Sequence, residues 1–544
     1  MKIIFLLDEY LHRIFRILMW KDFYVYSAAI FLLYILACST YFDFVLRKDG
    51  YYYILKGMEA ANGDFSLFRP HAFGWPLFLA FFYWLLNVDN IFQAMFLARW
   101  LSIILTCFTV VLLGCFCKKM CGQKNYEGAC VVAVTAYVLS FHVQEIAKVA
   151  YTEPLFLVLT LSCYYFMVSS KPLNNREIAL AALFAGLSYW VRANGLFQLF
   201  VLLTVIALWS YKDVFRVFKN SLFAVLVFFG VCAPYLLMRY LQFDSAFDYG
   251  PNSKYFVDNF RQVWDDTIPV PTFLEYLSTH NWHDYYNKFI EDGLLKIFHY
   301  MHLLFNFKYL WIILLVVSLL AAVVYKRRDM YAMILLFLLT FAGFSMIFQV
   351  FGHVRHLLFL IPFILACSVV FISSLGTDTV KISNIVFGLL LVYAVSSSEE
   401  IKLFDENHIN VPQVKDTWAL WAADNLEGNV ALVEAGDILQ MAQHYRKPAM
   451  QRVPESFALV EEKINRVRPG EHKSLAEALP DFQARNIDYV ITDKLTLYRK
   501  HRRPYLKEIR EEKWRKTFEL LNSIPEGEPG AVLYGIDIYK VHYE

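Results

Sequence analysis

Long apolar runs alternate with short polar loops along most of this chain, and the pattern stops near residue 398. The runs cover 24–42, 73–88, 99–117, 128–143, 154–170, 178–191, 193–211, 220–241, 309–325, 330–351, 357–376 and 383–398. The first, Tyr24 to Phe42, carries no charged residue. Runs of this kind predict membrane-crossing helices, which need about 20 mostly apolar residues. The polar loops Lys118–Lys124, Lys171–Arg176, Lys212–Lys219 and Lys326–Arg328 are basic, as is the N-terminus, so all of these belong on the cytoplasmic side.

Sidedness then sets a parity condition. The run 24–42 ends outside, and the chain must be back inside at Lys118, yet both 73–88 and 99–117 lie between. One of the two does not cross. Residues 73–88 are the shorter run, follow Pro70 and contain Pro76. They are predicted to lie on the outer surface or to dip partway in, as is tolerated only under protein cover or beside a cavity. The expected architecture is a polytopic α-helical membrane protein with about 11 transmembrane helices. Residues 1–398 form its membrane domain, with a first outer loop at 43–98 and a long outer loop at 242–308.

The remainder, 399–544, is polar and mixed in charge. GNVALVEAG (428–436), IDYVITD (487–493) and AVLYGIDIYKVHY (531–543) read as strands and ILQMAQHY (438–445) as a helix, which predicts a soluble α/β domain on the outer face. No G-x-G-x-x-G follows a strand. Composition supports the division: 58% of the chain is apolar and 18% aromatic, above the apolar share of soluble domains. A net charge of +2 gives no ground for nucleic-acid binding. The nine cysteines sit almost wholly in apolar runs, which argues against a disulfide framework. Cys115, Cys117 and Cys121 lack a partner histidine and read as small apolar residues at a helix end.

Candidate chemistry collects on the outer face. Asp49 follows the first span and precedes three tyrosines; it reads as a general base or as a solvated loop aspartate paired with Lys48. Tyr52, Arg69 and His71 share that loop as candidate substrate-binding groups. Glu153, in YTEPLF, suits a helix start beside Pro154 and equally a catalytic or acceptor-binding role. Asp43 and Glu145 are weaker candidates. Arg192 interrupts the otherwise uncharged stretch 178–211, and Arg355 sits between His353 and His356 at the mouth of another run. Charge at membrane depth is costly and marks function, unless the side chain snorkels to headgroups. Two arginines on one face, with histidines beside one of them, suit a phosphate. Arg99 would join that pocket or anchor its helix.

The chain resembles the GT-C superfamily of polytopic glycosyltransferases, in the branch of the protein O-mannosyltransferases and the lipid A aminoarabinose transferase. The resemblance rests on DGYYY (49–53), RPHAFGWPL (69–77), YTEPLF (151–156), GLSYWVRANGL (186–196) and RHLLFLIP (355–362), all in family order. Two features depart from the family pattern: Gly50 replaces the second carboxylate of a frequent acidic pair, and His71 stands where a proline is frequent. The resemblance implies a polyprenyl- or dolichyl-phosphate-sugar donor and a lipid, glycan or protein acceptor. It implies transfer with inversion on the outer or periplasmic face of a membrane, here a bacterial inner membrane. Asp49 would take the acceptor proton. Arg192 and Arg355, with His353 or His356, would hold the leaving lipid phosphate. Some relatives use a divalent metal, and no metal motif stands out in this sequence. The competing expectation is a transporter or flippase, although the two related halves common in such proteins are not evident.

Overall fold

Four consecutive helices explain how Glu153 and Arg192 come together. A computed structural model describes Ala28, Leu32 and residues 48–65, 67, 72–88, 91–121, 133–138, 140–148, 150–169, 171–247, 256–257, 271–304, 316, 320, 330–351, 354–374, 421–422, 424–432, 464–467, 472–493, 504–524 and 536–543. The apolar runs 24–42, 309–325 and 383–398 therefore lie almost wholly outside the described residues. The early helices are α1 (Lys48–Ala61), α2 (Gly74–Leu85), α3 (Ile91–Cys121) and α4 (Phe141–Lys148). The central four are α5 (Glu153–Met167), α6 (Asn175–Val191), α7 (Gly195–Ser210) and α8 (Val214–Phe243).

Helix α6 packs against α5, α7 and α8 at once. Its sequence permits this. Ala181, Ala182 and Ala185 are fully buried along one side, and small residues let helices approach closely in an apolar surrounding. Asn174 starts α6 with a reciprocal capping box to Glu177, and the helix stops at Arg192, where the backbone turns extended (φ −154°, ψ 138°). The break expected at Arg192 is thus the junction between α6 and α7. Below it a buried polar ladder ties three helices together. The Gln198 amide donates to Thr160 Oγ1 (2.7 Å), and Ser188 Oγ lies 2.9 Å from Gln198 Oε1.

Among the described residues, two helices are long and apolar enough to cross a membrane, Gln93–Met120 within α3 and Val214–Phe243. Helix α2 is one of the shorter apolar helices. Its 12 residues extend about 18 Å at 1.5 Å each, short of the ~30 Å of a bilayer core. One side, with Trp75, Leu79 and Tyr83, is buried, while Phe81 and Trp84 are exposed. The Tyr83 hydroxyl donates to the Ala94 carbonyl (3.0 Å) and fixes α2 to the start of α3.

The long loop is helical where it is described: α9 (Phe273–Thr279), α10 (Trp282–Tyr285), a ten-residue π-helix Tyr286–Leu295 and α11 (Lys296–Leu304). The π-helix packs against α12 (Tyr331–Phe351), and α13 (Ile361–Ser374) follows the 3₁₀ turn Val354–Leu360. The polar residues of this loop have local duties. Asp284 completes the capping box of α10, and His280 stacks on Tyr276 at 3.9 Å. Asp248, Asp265 and Asp266 lie outside the described residues.

The C-terminal part forms a five-stranded mixed sheet of β1 (Gly428–Leu432), β2 (Ile464–Val467), β3 (Tyr489–Asp493), β4 (Phe518–Ile524) and β5 (Ile536–Val541), in the order β2-β1-β3-β5-β4. The pairs β1–β2 and β1–β3 are parallel, whereas β3–β5 and β5–β4 are antiparallel. Helix α14 (Leu475–Ala484) covers the sheet through Leu475, Ala478 and Phe482. Three expected strands match β1, β3 and β5. The expected helix at 438–445 falls outside the described residues.

Candidate functional site

Glu153 and Arg192, 39 residues apart, form an ion pair at the ends of α5 and α6, with Arg192 Nη1 2.6 Å from Glu153 Oε1. The Glu153 side chain is 6% exposed and that of Arg192 18%. The second amino group of Arg192 lies 2.8 Å from His356 Nδ1, 164 residues further on. A guanidinium can only donate, so Nδ1 accepts and the imidazole proton sits on Nε2. Thr152 Oγ1 is 3.3 Å from Glu153 Oε2, and the Phe156 ring lies 5.8 Å from the guanidinium carbon. Charge, a separate partner for each amino group and an aromatic face thus meet on one arginine.

Glu153 takes the helix-start position expected of it and pairs with Arg192 as well. It occupies the first turn of α5 beside Pro154, where negative charge suits the helix end. The N-cap residue Thr152 makes no side-chain cap bond, and the Glu153 carboxylate is engaged by Arg192.

The surrounding loops are held by contacts that use the motif residues. The buried Trp75 indole donates to the Ala150 carbonyl (2.9 Å), three residues ahead of Glu153. A Cβ on Gly74 would fall 2.6 Å from the Trp190 carbonyl carbon, so only glycine lets α2 start against the end of α6. A Cβ on Gly195 would fall 2.3 Å from Tyr189 N, which reserves the R-A-N-G turn after Arg192 for glycine in the same way. A Cβ on Gly50, in the first turn of α1, would lie 3.6–3.7 Å from Tyr151 Cε1 and the Ala150 carbonyl. The first turn of α1, the Ala150–Phe156 segment, the Trp190–Gly195 turn and residue 356 are thereby neighbours.

Asp49 is the second residue of α1. Tyr52 lies on the same helix, half-buried. Burial first, then Glu59 and Tyr53, push the Tyr52 phenol well above its ordinary range and keep it a neutral hydroxyl. Arg355 belongs to the 3₁₀ turn Val354–Leu360, next to His356. Arg69, His71 and His353 lie outside the described residues. Arg99 is buried within α3.

Two residues escaped the sequence reading. Arg239 is fully buried near the end of α8, with its guanidinium carbon 5.3 Å from the Phe243 ring and Nη1 3.4 Å from the Tyr235 hydroxyl. Tyr235 stacks on Trp190 at 5.1 Å, which links Arg239 to the segment that carries Arg192. The available signal was the single charge inside the run 220–241. Gln242 accepts from Leu67 N (2.7 Å) and donates to the Phe65 carbonyl (3.0 Å), and so holds the loop that leads to Arg69 and His71. An isolated glutamine gave no sequence signal for this contact.

No protein-family model matches the chain, and no curated protein matches it by sequence. Solved structures do. The fold is similar to the Archaeoglobus fulgidus oligosaccharyltransferase in complex with Zn and sulfate, with TM-score 0.52 and 10% identity over 90% of this chain and 71% of that one. It is also similar to ArnT from Cupriavidus metallidurans in the apo state, with TM-score 0.54 and 12% identity over 95% of this chain and 97% of that one. Both are GT-C glycosyltransferases.

Proposed function

We propose, from the premise of a GT-C fold, that this chain is an integral-membrane glycosyltransferase that moves a hexosyl or pentosyl group from a polyprenyl-phosphate-linked donor to an acceptor hydroxyl. The observation that carries the reading is the meeting of Arg192 with Glu153 and His356 beside the first turn of α1. Segments that carried the family resemblance, far apart in sequence, supply all of these groups.

In the proposed reaction Asp49 removes the proton of the acceptor hydroxyl. The oxygen attacks the anomeric carbon, the bond from that carbon to the phosphate oxygen breaks, and its electron pair leaves with the lipid phosphate. Attack opposite the leaving group inverts the anomeric centre. Arg192 stabilises the charge that develops on the phosphate. A guanidinium has five N–H donors, so engagement of Glu153 and His356 leaves donors for phosphate oxygens. Arg355 joins it from the turn that carries His356, and His353 belongs to the same segment. Glu153 holds the guanidinium in place and so acts as a positioning residue. Tyr52, Arg69 and His71 contact the sugar or the acceptor. Among the described residues no three His, Cys, Asp or Glu side chains assemble as a metal site, and the proposed steps use side chains alone.

The site and residues 399–544 belong on the outer, periplasmic face of a bacterial inner membrane. In proteoliposomes loaded with polyprenyl-phosphate-sugar, the protein is expected to release polyprenyl phosphate and to label an acceptor lipid or glycan. Movement of intact donor between leaflets, with no cleavage, would replace this reading with a flippase.

A further inference from the structure

Helix α8 carries two residues that an apolar span disfavours, Pro234 and Arg239. Proline has no N–H for the carbonyl four residues back, and it weakens the helix at that turn. A membrane helix tolerates such a turn where a neighbour takes up its backbone groups. Here the neighbour is Trp190 of α6, whose indole N–H donates to the Val231 carbonyl (2.9 Å). Gly186 lets the two helices cross this closely, since a Cβ there would fall 2.9 Å from Val231 Cβ.

Beyond Pro234 the helix continues as a short arm that is tied at both ends. At the near end Tyr235 is fully buried, stacks on Trp190 (5.1 Å between ring centroids, 29° between planes) and meets Tyr189 edge-on at 6.2 Å. At the far end Gln242 holds the backbone of residues 65 and 67. Arg239 lies between them, with its guanidinium carbon 5.8 Å from the Tyr235 ring and Nη1 3.4 Å from the Tyr235 hydroxyl. A buried charge is costly to keep at membrane depth, and two of the contacts of this one fall on the residue that stacks on Trp190.

Trp190 stands two residues before Arg192, just where α6 ends and the backbone turns extended. Glu153 and His356 hold the guanidinium of Arg192. Trp190 holds the point of the backbone from which that side chain departs. Its place matters for chemistry, because a displacement of about 1 Å can cost roughly a hundredfold in rate.

We propose that Tyr235 is a positioning residue for Arg192. It acts through Trp190: the stacked rings and the bond from Trp190 to Val231 fix the end of α6, and Arg239 holds the Tyr235 ring. The assignment rests on the reading of Arg192 as the residue that receives the lipid phosphate.

Calorimetric titration of the full-length protein in detergent with polyprenyl phosphate tests this. An aromatic pair contributes enough beyond its buried area that Tyr235→Leu should weaken binding by about tenfold. Tyr235→Phe keeps the ring and should stay within about twofold of the unmutated protein. In an Arg192→Lys background Tyr235→Leu should cause no further loss, since residues that act through one another are not additive. Where Tyr235→Leu does not fold, Trp190→Phe, which loses the bond to Val231, takes its place in the same cycle, with the same absence of further loss expected. Equal weakening in both backgrounds would make Tyr235 a packing residue and overturn the proposal, as would unchanged affinity on loss of the ring. Unmutated protein that binds no polyprenyl phosphate would remove the glycosyltransferase reading, and this assignment with it.

Discussion

Asp49→Asn slows sugar transfer by about 10²–10⁴-fold, the usual worth of general-base catalysis, while donor affinity is retained. The substitution preserves size and most hydrogen bonding and removes only the basic site. At about 1.4 kcal/mol per tenfold change, the loss amounts to roughly 3–6 kcal/mol of transition-state stabilisation. The expectation rests on place. Asp49 lies in the first turn of α1, and the next residue, Gly50, lies beside Ala150–Tyr151, just ahead of Glu153. Single-turnover release of polyprenyl phosphate, with donor binding titrated separately, reads both quantities. An unchanged rate would remove Asp49 and direct attention to Asp43 or Glu153. Loss of donor binding together with turnover would assign the loop a structural role.

Arg192→Ala abolishes transfer and also destabilises the fold. Removing one partner of a buried ion pair strands the other and costs about 3–5 kcal/mol, far more than the intact pair contributes. Glu153 would be left with Thr152 alone, and His356 would lose the donor on its Nδ1. Arg192→Lys keeps the charge, but a single ammonium cannot reproduce the fork between Glu153 and His356. The two effects are separable. Glu153→Gln added to Arg192→Ala replaces the stranded carboxylate with a neutral amide and is expected to recover most of the melting temperature with none of the turnover. Recovery of both would show that Arg192 serves stability alone.

The sequence made the individual charges legible and left their pairing unread. Arg192 stood out because it broke an apolar stretch, and Glu153 because it opened one. That they bind each other depends on α5 and α6 running antiparallel and side by side, a long-range outcome that no local pattern encodes. The approach of His356 over 164 residues is of the same kind. Arg239 was passed over because the apolarity of the run 220–241 outweighs one charge. Helix α2 was legible as an element, since Gly74–Leu85 falls within the apolar run 73–88. In the C-terminal part, β1, β3 and β5 were visible as β-branched runs. Strand β4, FELLNSI, was missed because a short run of mixed polarity does not separate strand from helix by period. The crossover order β2-β1-β3-β5-β4 likewise leaves no local trace.

The proposed reaction requires a lipid phosphate at the Arg192 site. The most direct measurement is an experimental structure of the full-length protein with polyprenyl phosphate bound in a lipid nanodisc. The expected density places phosphate oxygens within hydrogen-bond distance of the Arg192 guanidinium, beside the first turn of α1. A phosphate held at Arg239, with Arg192 contacting only Glu153 and His356, would contradict it.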